Sequence, residues 1–330
     1  MRIKLNLDSI ALLLFCSDLI ITDAAPLDNE EWYEVEKKLK LSDLKRPARL
    51  FGINEFNLRL QLDIDENLAL KMIERVKLYD DLLYSLYNLE NENINITTIY
   101  EEDFPSILNY SLKKECPLYL YYSGDLIMMN NMFSIMGIHK SERKLQITTR
   151  HILKKMINED KVLISSDNEG IENYALKTYL SLGGKVICFV SDHMIDKKET
   201  YKKYIKEGRM LLVSVIDPYA FFNVTHAIDR NMYISCLSDY AILIACYYNS
   251  GETWLSAYLS LNNKWTDLLV VENVNYDGNM KLLTMGANLL SNKDIKSEIS
   301  IESLLESKNK KEVIEDEEDY QLSIYDFLKE

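Results

Sequence analysis

Residues 162–171 read VLISSDNEGI, a short apolar run followed by small and polar residues. Runs that are apolar throughout, rather than alternating, are typical of strands buried on both faces of a parallel sheet. The small and hydroxylated residues that follow are typical of the loop that leads such a strand into a helix. The stretch therefore predicts a strand–loop–helix unit.

The same pattern recurs on both sides of this stretch. Largely apolar runs occur at residues 133–138, 162–166, 185–190, 211–216, 241–247 and 267–271. Most of the intervening segments are long enough for right-handed helical crossovers between parallel strands. From about 133 to 290 the chain is therefore predicted to be α/β, with a doubly wound, mostly parallel sheet of the Rossmann-like type.

The flanking sequence differs in texture. Before about residue 92, apolar residues recur at helical spacing over 30–40 and 65–89, which predicts a small helical N-terminal region. Residues 94–100 and 117–122 are rich in β-forming residues and begin the 93–290 domain. Residues 291–330 contain 12 acidic and 6 basic residues, and we expect an acidic, disordered tail there.

Composition narrows the functional classes. The 330-residue chain has a net charge of −14, which disfavours non-specific binding to polyanions without excluding a local basic groove. Its five cysteines show no CxxC spacing and several lie in apolar runs, which predicts reduced thiols and a cytoplasmic location. The four histidines form no HxH or HExxH motif. We therefore expect no metal and no cofactor.

The N-terminus weakly resembles a signal peptide, because Arg2 and Lys4 precede the apolar residues 10–16. Asp8 and Asp18 bracket that short run, so an amphipathic first helix is the favoured interpretation. No later segment approaches the roughly 20 apolar residues of a membrane span, and we expect no membrane partner.

Candidate ligand-binding residues follow the predicted strands, because ligands of open α/β sheets bind outside the carboxyl ends of the strands. Small, hydroxylated and basic residues lie there near predicted helix N-termini, where free N–H groups and the helix dipole favour an anion such as phosphate. They are Gly137, His139 and Lys140, then Ser165, Ser166 and Gly170, and finally Ser250, Gly251 and Thr253. Ordinary turn and capping roles are the alternative, since no GxGxxG or P-loop motif is present.

An ordered series of short motifs resembles the DprA/Smf family of DNA-processing proteins. In chain order the matching segments are 102–105 (EDFP), 117–121 (PLYLY), 124–125 (GD), 136–139 (MGIH), 165–172 (SSDNEGIE), 183–184 (GG), 230–238 (RNMYISCLS), 250–253 (SGET) and 278–287. The resemblance covers about 190 residues and implies a protein that binds single-stranded DNA and helps to load a RecA-type recombinase. It adds Arg230 and Asn231 to the predicted DNA- or phosphate-binding residues.

The sequence departs from the family pattern at four positions. His139, Glu169 and Met232 stand where the family has arginine, and Leu176 stands where histidine is usual. Losing guanidinium groups removes bidentate phosphate contacts, so we expect weaker DNA binding or another ligand.

Basic stripes remain on two predicted helices. Lys198, Lys202 and Lys206 follow i, i+4, i+8 spacing with Arg209 beyond, and Arg150 with Lys154 forms a shorter stripe. Such stripes could track a nucleic-acid backbone. A solvated helix face is the alternative.

The last residues carry an interaction motif. Residues 321–325 (QLSIY) resemble the peptide that binds the bacterial sliding clamp, in which apolar side chains fill a pocket. The predicted contacts are Gln321, Leu322, Ile324, Tyr325 and Phe327. A short helix that folds back onto the body is the alternative.

Three functional hypotheses follow. The first is a non-catalytic DprA/Smf-like protein that acts on single-stranded DNA in DNA processing, recombination or natural transformation. The second is a Rossmann-like nucleotide-binding or phosphoribohydrolase-type enzyme, for which no catalytic set can be assembled from the spacing. The third is a degenerate adaptor tethered to the clamp by its tail. The sequence leaves open whether the protein forms homodimers.

Overall fold

The computed structural model describes residues 4–20, 22–140 and 142–309. Residues up to Ser123, together with Val213–Ala220, form one compact unit, and Gly124–Leu212 with the residues from Phe221 onward form a second. A nine-stranded mixed sheet has the order β1-β2-β6-β5-β4-β3-β7-β8-β9. The predicted α/β class with a mostly parallel sheet and a helical N-terminal region is confirmed.

The first unit begins with helices. They are α1 (Leu7–Cys16), α2 (Asn29–Leu41), α3 (Glu55–Leu62), α4 (Glu66–Val76) and α5 (Tyr79–Asn91). The strands β1 (Asn95–Thr98) and β2 (Tyr119–Ser123) follow and pair antiparallel, with α6 (Ser106–Leu112) between them. Asp65 caps α4, and its Oδ1 accepts a hydrogen bond from the N–H of Leu68 at 3.0 Å.

Helix α1 is buried on all sides. Every residue from Ser9 to Cys16 is inaccessible to solvent, and Phe15 stacks on Trp32 with ring centroids 6.0 Å apart. The expectation of an amphipathic first helix was therefore wrong in its pattern, because α1 is the centre of the N-terminal core rather than its surface. Asn6 caps the helix by accepting from the N–H of Ser9.

The second unit contains the alternating part. Its strands are β3 (Met132–Met136), β4 (Val162–Ser165), β5 (Lys185–Phe189), β7 (Tyr240–Leu243), β8 (Asp267–Val271) and β9 (Asn288–Leu290), and β6 (Met210–Ser214) spans its boundary. Its helices are α7 (Arg143–Asn158), α8 (Ile171–Ser181), α9 (Met194–Lys206), α10 (Val224–Leu237), α11 (Gly251–Asn262) and α12 (Asp277–Thr284). Each of the six predicted apolar runs contains most of one of β3 to β8.

The strand order reverses once in this unit. From β3 the chain adds β4, β5 and β6 on one side, and β7 with β8 and β9 extends the sheet on the other side of β3. The pairs of β3 with β4 and of β3 with β7 are both parallel. In doubly wound sheets the reversal opens a crevice at the carboxyl ends of the two diverging strands, so the loops after β3 and β7 are the first place to seek a site.

Part of the predicted tail is ordered. Helices α13 (Asn292–Lys296) and α14 (Ile301–Asn309) occupy its first residues. Lys155 of α7, which is nearly inaccessible, donates to the carbonyls of Ser297 at 2.8 Å and Ile299 at 2.6 Å, and Ile301 is buried. The acidic composition of the tail did not predict these helices, because composition does not show which side chains are buried. Three apolar side chains pack in the core: Ile295, Ile301 and Leu305.

No helix within the described residues is both long enough and apolar enough to span a bilayer.

The Arg75 guanidinium holds the end of α1. It donates from Nε to the carbonyl of Leu14 and from Nη2 to that of Ser17, both at 2.6 Å, and from Nη1 to that of Ala24 at 2.8 Å. Helix C-termini leave carbonyls without partners and carry partial negative charge, so a cation satisfies both needs. Burial lowers the pKa of Arg75, and the nearby Cys16 and Asp18 oppose that shift.

We predict that Arg75→Met lowers the free energy of unfolding by about 2–4 kcal/mol, because two buried carbonyls and one partly buried carbonyl lose their donors. Urea denaturation followed by circular dichroism measures the change. Arg59→Met is the control, since Arg59 is exposed, its ion pairs with Glu55 and Glu66 are on the surface, and less than about 1 kcal/mol is expected. Equal effects of the two substitutions would contradict the role given to Arg75.

Candidate nucleic-acid interface

The reversal point is closed by a direct contact. The Thr253 Oγ1, at the start of α11, donates to the carbonyl of Gly137 after β3 at 3.2 Å. Gly137 also lies against α8, where an added Cβ would come within 2.7 Å of the Ile171 side chain. The crevice between β3 and β7 is thus bridged by protein groups rather than left open.

Arg230 links three elements beneath this edge of the sheet. Its Nη1 donates to Asn168 Oδ1 and Ser191 Oγ, both at 3.0 Å, and its Nε and Nη2 donate to Asn231 Oδ1 at 3.2 and 3.0 Å. Arg230 is 1% exposed. In this arrangement the guanidinium joins the loops after β4 and β5 to α10, and it does not face solvent.

A second polar group lies beside it. The Ser166 Oγ donates to the Glu172 carboxylate, and Asn168 Nδ2 donates to Glu252 Oε1 at 2.8 Å. Although Glu172 as a residue keeps some exposed area, burial of its carboxyl group is the main cause that raises its pKa. The charge of Arg230 and the hydrogen bond from Ser166 act in the opposite direction.

The space between these side chains is small. Ser166, Glu172, Asn231 and Thr253 contribute to the lining of a cavity of about 10 Å³. That volume accommodates about one water molecule. A nucleotide does not fit inside, so a larger ligand has to bind on the outer surface of the loops.

The predicted site residues divide into two sets. Gly137, Ser165, Ser166, Arg230, Asn231 and Thr253 are buried. His139, Lys140, Ser250 and Gly251 are exposed, and Gly170 is half-buried. The structure thus brings the predicted loops to one edge of the sheet. Most of the hydroxyl groups and the guanidinium group are buried there, and fewer of the predicted residues reach the surface.

Gly170 allows two loops to meet. Its φ is +100°, and a Cβ there would come within 2.4 Å of the His139 Cα and 2.5 Å of the His139 carbonyl. A side chain at this position would push the loops apart as well as strain the backbone. The His139 Nδ1 also lies 3.2 Å from the carbonyl of Glu169, so the exposed imidazole is fixed by the neighbouring loop.

Helices α8 and α11 begin at this edge without a side-chain cap. Free N–H groups there could receive a phosphate. However, Glu172 and Glu252 already place carboxylates in the first turns, and Glu252 Oε1 lies 3.9 Å from His139 Nε2. The loops therefore carry carboxylates beside their basic groups rather than a strongly positive charge.

Exposed aromatic side chains were missed by the sequence reasoning. Phe221 and Phe222, which follow β6, are 79% and 57% exposed, and Tyr247 and Tyr248, which follow β7, are about half exposed. Phe221 packs edge-on against the ring of His193, which follows β5, at 5.0 Å. In the sequence the aromatic pairs FF and YY were visible, but pattern alone gave no reason to place them outside the core.

Two further predictions concern metal ions and the clamp motif. Within the described ranges no group of three or more His, Cys, Asp or Glu side chains could hold a metal ion. The predicted clamp contacts Gln321, Leu322, Ile324, Tyr325 and Phe327 lie outside the residues that the structure describes.

Comparison with known proteins agrees with the motif series. The family model described as DNA recombination-mediator protein A matches residues 95–300. The chain belongs to this family. No curated protein matches the chain at a significant level.

Two solved structures of the family share the fold. DNA processing protein A (DprA) from Streptococcus pneumoniae is 18% identical with a TM-score of 0.66, and the match covers 91% of this chain and all of that one. The Helicobacter pylori DprA, whose structure addresses a single-stranded DNA binding mode, is 20% identical with a TM-score of 0.51. That match covers 67% of this chain and 98% of the other.

The departures from the DprA pattern fall into two environments. Met232 and Leu176 are buried and belong to the core of this chain. His139 and Glu169 are exposed at the loops. The replacement that changes surface charge most is therefore Glu169, which puts an acid where the family has a base.

We predict that Glu172→Gln stabilises the protein at pH 7 but not at pH 4. The folded state raises the Glu172 pKa above its ordinary value near 4.5, so ionising the carboxyl group weakens folding as the pH rises through the folded pKa. The amide cannot ionise and avoids this loss. Thermal melts of Glu172→Gln against wild type across that pH range measure it.

Glu306→Gln controls for the loss of one negative charge, because Glu306 is exposed on α14. A stability difference between Glu172→Gln and wild type that stays constant with pH would show that Glu172 is not the group that titrates.

Proposed function

We propose that this DprA-family protein binds single-stranded DNA at the carboxyl edge of its sheet and acts without catalysis in DNA processing, recombination or natural transformation. The observation that carries the proposal is the set of exposed aromatic side chains on the loops after β6 and β7. Large apolar side chains in solvent are typical of binding surfaces. The Helicobacter pylori relative, known for its single-stranded DNA binding mode, supports the choice of ligand.

Aromatic side chains suit unpaired bases. Each base has a π-face, and stacking on an aromatic ring contributes about 1–3 kcal/mol per base without sequence preference. Phe221 is already oriented by its contact with His193, so little side-chain freedom is lost when a base stacks on the pair. Phe222 and the Tyr247–Tyr248 pair offer further faces.

The closed interior at the carboxyl edge of the sheet argues against an enzymatic site between these loops. A phosphoribohydrolase-type enzyme has to enclose a nucleotide, and binding pockets for such ligands are about 300–1,000 Å³. The cavity beside Ser166 and Glu172 is about 10 Å³. We therefore assign Ser166, Glu172 and Arg230 to positioning the loops rather than to bond cleavage.

Finer parts of the proposal rest on the sequence. Loading of a RecA-type recombinase follows from the family resemblance, and binding of a sliding clamp follows from residues 321–325. A cytoplasmic location also stays a prediction, and the sequence makes none about homodimers. A degenerate adaptor would retain the clamp contact and lose the DNA contact, so DNA binding separates the hypotheses.

Phe221→Ala/Phe222→Ala should weaken binding of a fluorescent oligothymidylate at low salt by about tenfold or more, because two stacking faces are lost. Fluorescence anisotropy measures the dissociation constant. Phe56→Ala is the matched control, since Phe56 is 74% exposed on α3. Absence of wild-type binding below about 10 μM would overturn the proposal, as would equal affinities of the double variant and wild type.

Glu169→Arg should tighten binding of the same oligonucleotide by about three- to tenfold at low salt, because one repulsive charge becomes an attractive one. The gain should shrink as salt is added. Glu306→Arg is the control, because it makes the same charge change on α14. Glu302 of that helix pairs with Lys161 at the amino end of β4, whereas the loops lie at the carboxyl ends of the strands. A similar gain from both variants would mean that only net charge matters.

A further inference from the structure

Helix α7 differs from the rest of this acidic chain in its charge. Its 16 residues contain no Asp or Glu, although the chain has 52 acidic and 38 basic residues. Four of its basic side chains, Arg143, Lys144, Arg150 and Lys154, are exposed, and so is His151. Lys155 alone points inward, where it holds the segment before α14.

The exposed bases share one face. At 100° per residue, Arg143, Lys144, Arg150, His151 and Lys154 fall within an arc of about 120°. They span about 17 Å of helix axis at a rise of 1.5 Å per residue. The opposite face, with Leu145, Thr149 and Ile152, is buried. The helix thus presents two basic groups on one face, Arg143 with Lys144 and Arg150 with His151 and Lys154, with the half-exposed Ile147 between them. We call this face the α7 strip.

The cations of the α7 strip lack acidic partners among the described residues. Neither Arg143, Lys144, Arg150 nor Lys154 takes part in an ion pair there. Helix α9, which has the longer lysine series, is different. Its Lys198 is buried, Lys202 pairs with Glu199 at 2.8 Å, and Lys203 lies 3.9 Å from Glu207. Both helices carried a basic stripe in the sequence, but among the described residues the exposed cations of α9 are partly paired with acids, whereas those of the α7 face show no ion pair.

The strip ends in a cleft. His151, Lys154 and Lys296 contribute to the lining of a concave surface of about 520 Å³, between the end of α7 and the segment after α13. Two acidic residues form part of the same wall: Glu159, which is paired with Lys155 at 3.5 Å, and the exposed Glu298. The volume falls in the range of nucleotide-sized sites. At its other end the strip begins directly after the loop of Gly137 to Lys140.

We propose that the α7 strip and its cleft bind the phosphate backbone of single-stranded DNA that extends beyond the loops. The inference rests on the proposed function. It gives the DNA strand a path over the surface, from the aromatic loops along α7 to the cleft. Charge complementarity supports a polyanion, and continuity with the loop after β3 supports the same strand rather than a separate ligand. The carboxylates at the loops leave backbone neutralisation to another surface, and α7 supplies it.

The test uses the triple variant Arg143→Gln/Arg150→Gln/Lys154→Gln in the full chain. Glutamine keeps helix propensity, so folding should be preserved, and a thermal melt checks this. The control is Lys202→Gln/Lys203→Gln/Lys206→Gln, which removes the same charge from α9. Anisotropy titrations compare oligothymidylates of about 6 and about 25 nucleotides over a salt series.

The α7 variant should bind the long oligonucleotide at least about tenfold more weakly at low salt, and its slope of log affinity against log salt should fall by about 2. The short oligonucleotide, held at the loops, should bind as in wild type. A loss for the long oligonucleotide no greater than in the α9 control would overturn the inference and leave the proposed function intact. Tighter binding by the α7 variant would also overturn it, in favour of the acidic residues 315–319 as occupant. Wild-type protein that binds neither length would overturn both.

Discussion

A buried guanidinium organises the carboxyl edge of this sheet. Arg230 cannot remain charged in the interior without partners, and it satisfies its donors on Asn168, Ser191 and Asn231. Those partners belong to the loop after β4, the loop after β5 and α10 itself. Their positions are therefore coupled, because moving any one of them would remove hydrogen bonds from a buried charge. The outer surface of the site depends on this inner constraint.

The inner constraint also explains where a ligand can bind. Asn168 passes the network on to Glu252 of α11, so the loops on both sides of the reversal are joined. The polar groups that could have contacted phosphate are hydrogen-bonded to one another. The cavity between them has room for about one water molecule. What remains outside is aromatic at the loops and basic along α7. A polymer with stacking bases and a charged backbone matches that division, whereas a compact nucleotide does not.

The fold was predictable because burial dictates it. A strand that is covered on both faces is apolar along most of its length. Residues 133–138 and the other five apolar runs could therefore be recognised as strands from the sequence. The site was only partly predictable. Topology brings Gly137, Ser166 and Ser250 to one edge, and chain order was enough to see that. Whether Arg230 faces ligand or core depends on the partners that folding brings to it, and sequence spacing does not contain that information. The same holds for Lys198, which spacing placed on an exposed stripe and packing buried.

The acidic character of the chain bears on which nucleic acid it would select. A net charge of −14 repels any polyanion at long range, so a basic strip alone attracts duplex DNA weakly. Stacking on Phe221 and Phe222 requires bases that are not already paired and stacked, and duplex DNA would have to unstack before it gained that contact. Under the proposed function, single strands obtain both contributions and duplexes only the electrostatic one. The preference for single strands would then arise from the separation of aromatic and basic surfaces rather than from a high local charge. Glu169, which stands where the family pattern has arginine, would increase that preference and lower the affinity.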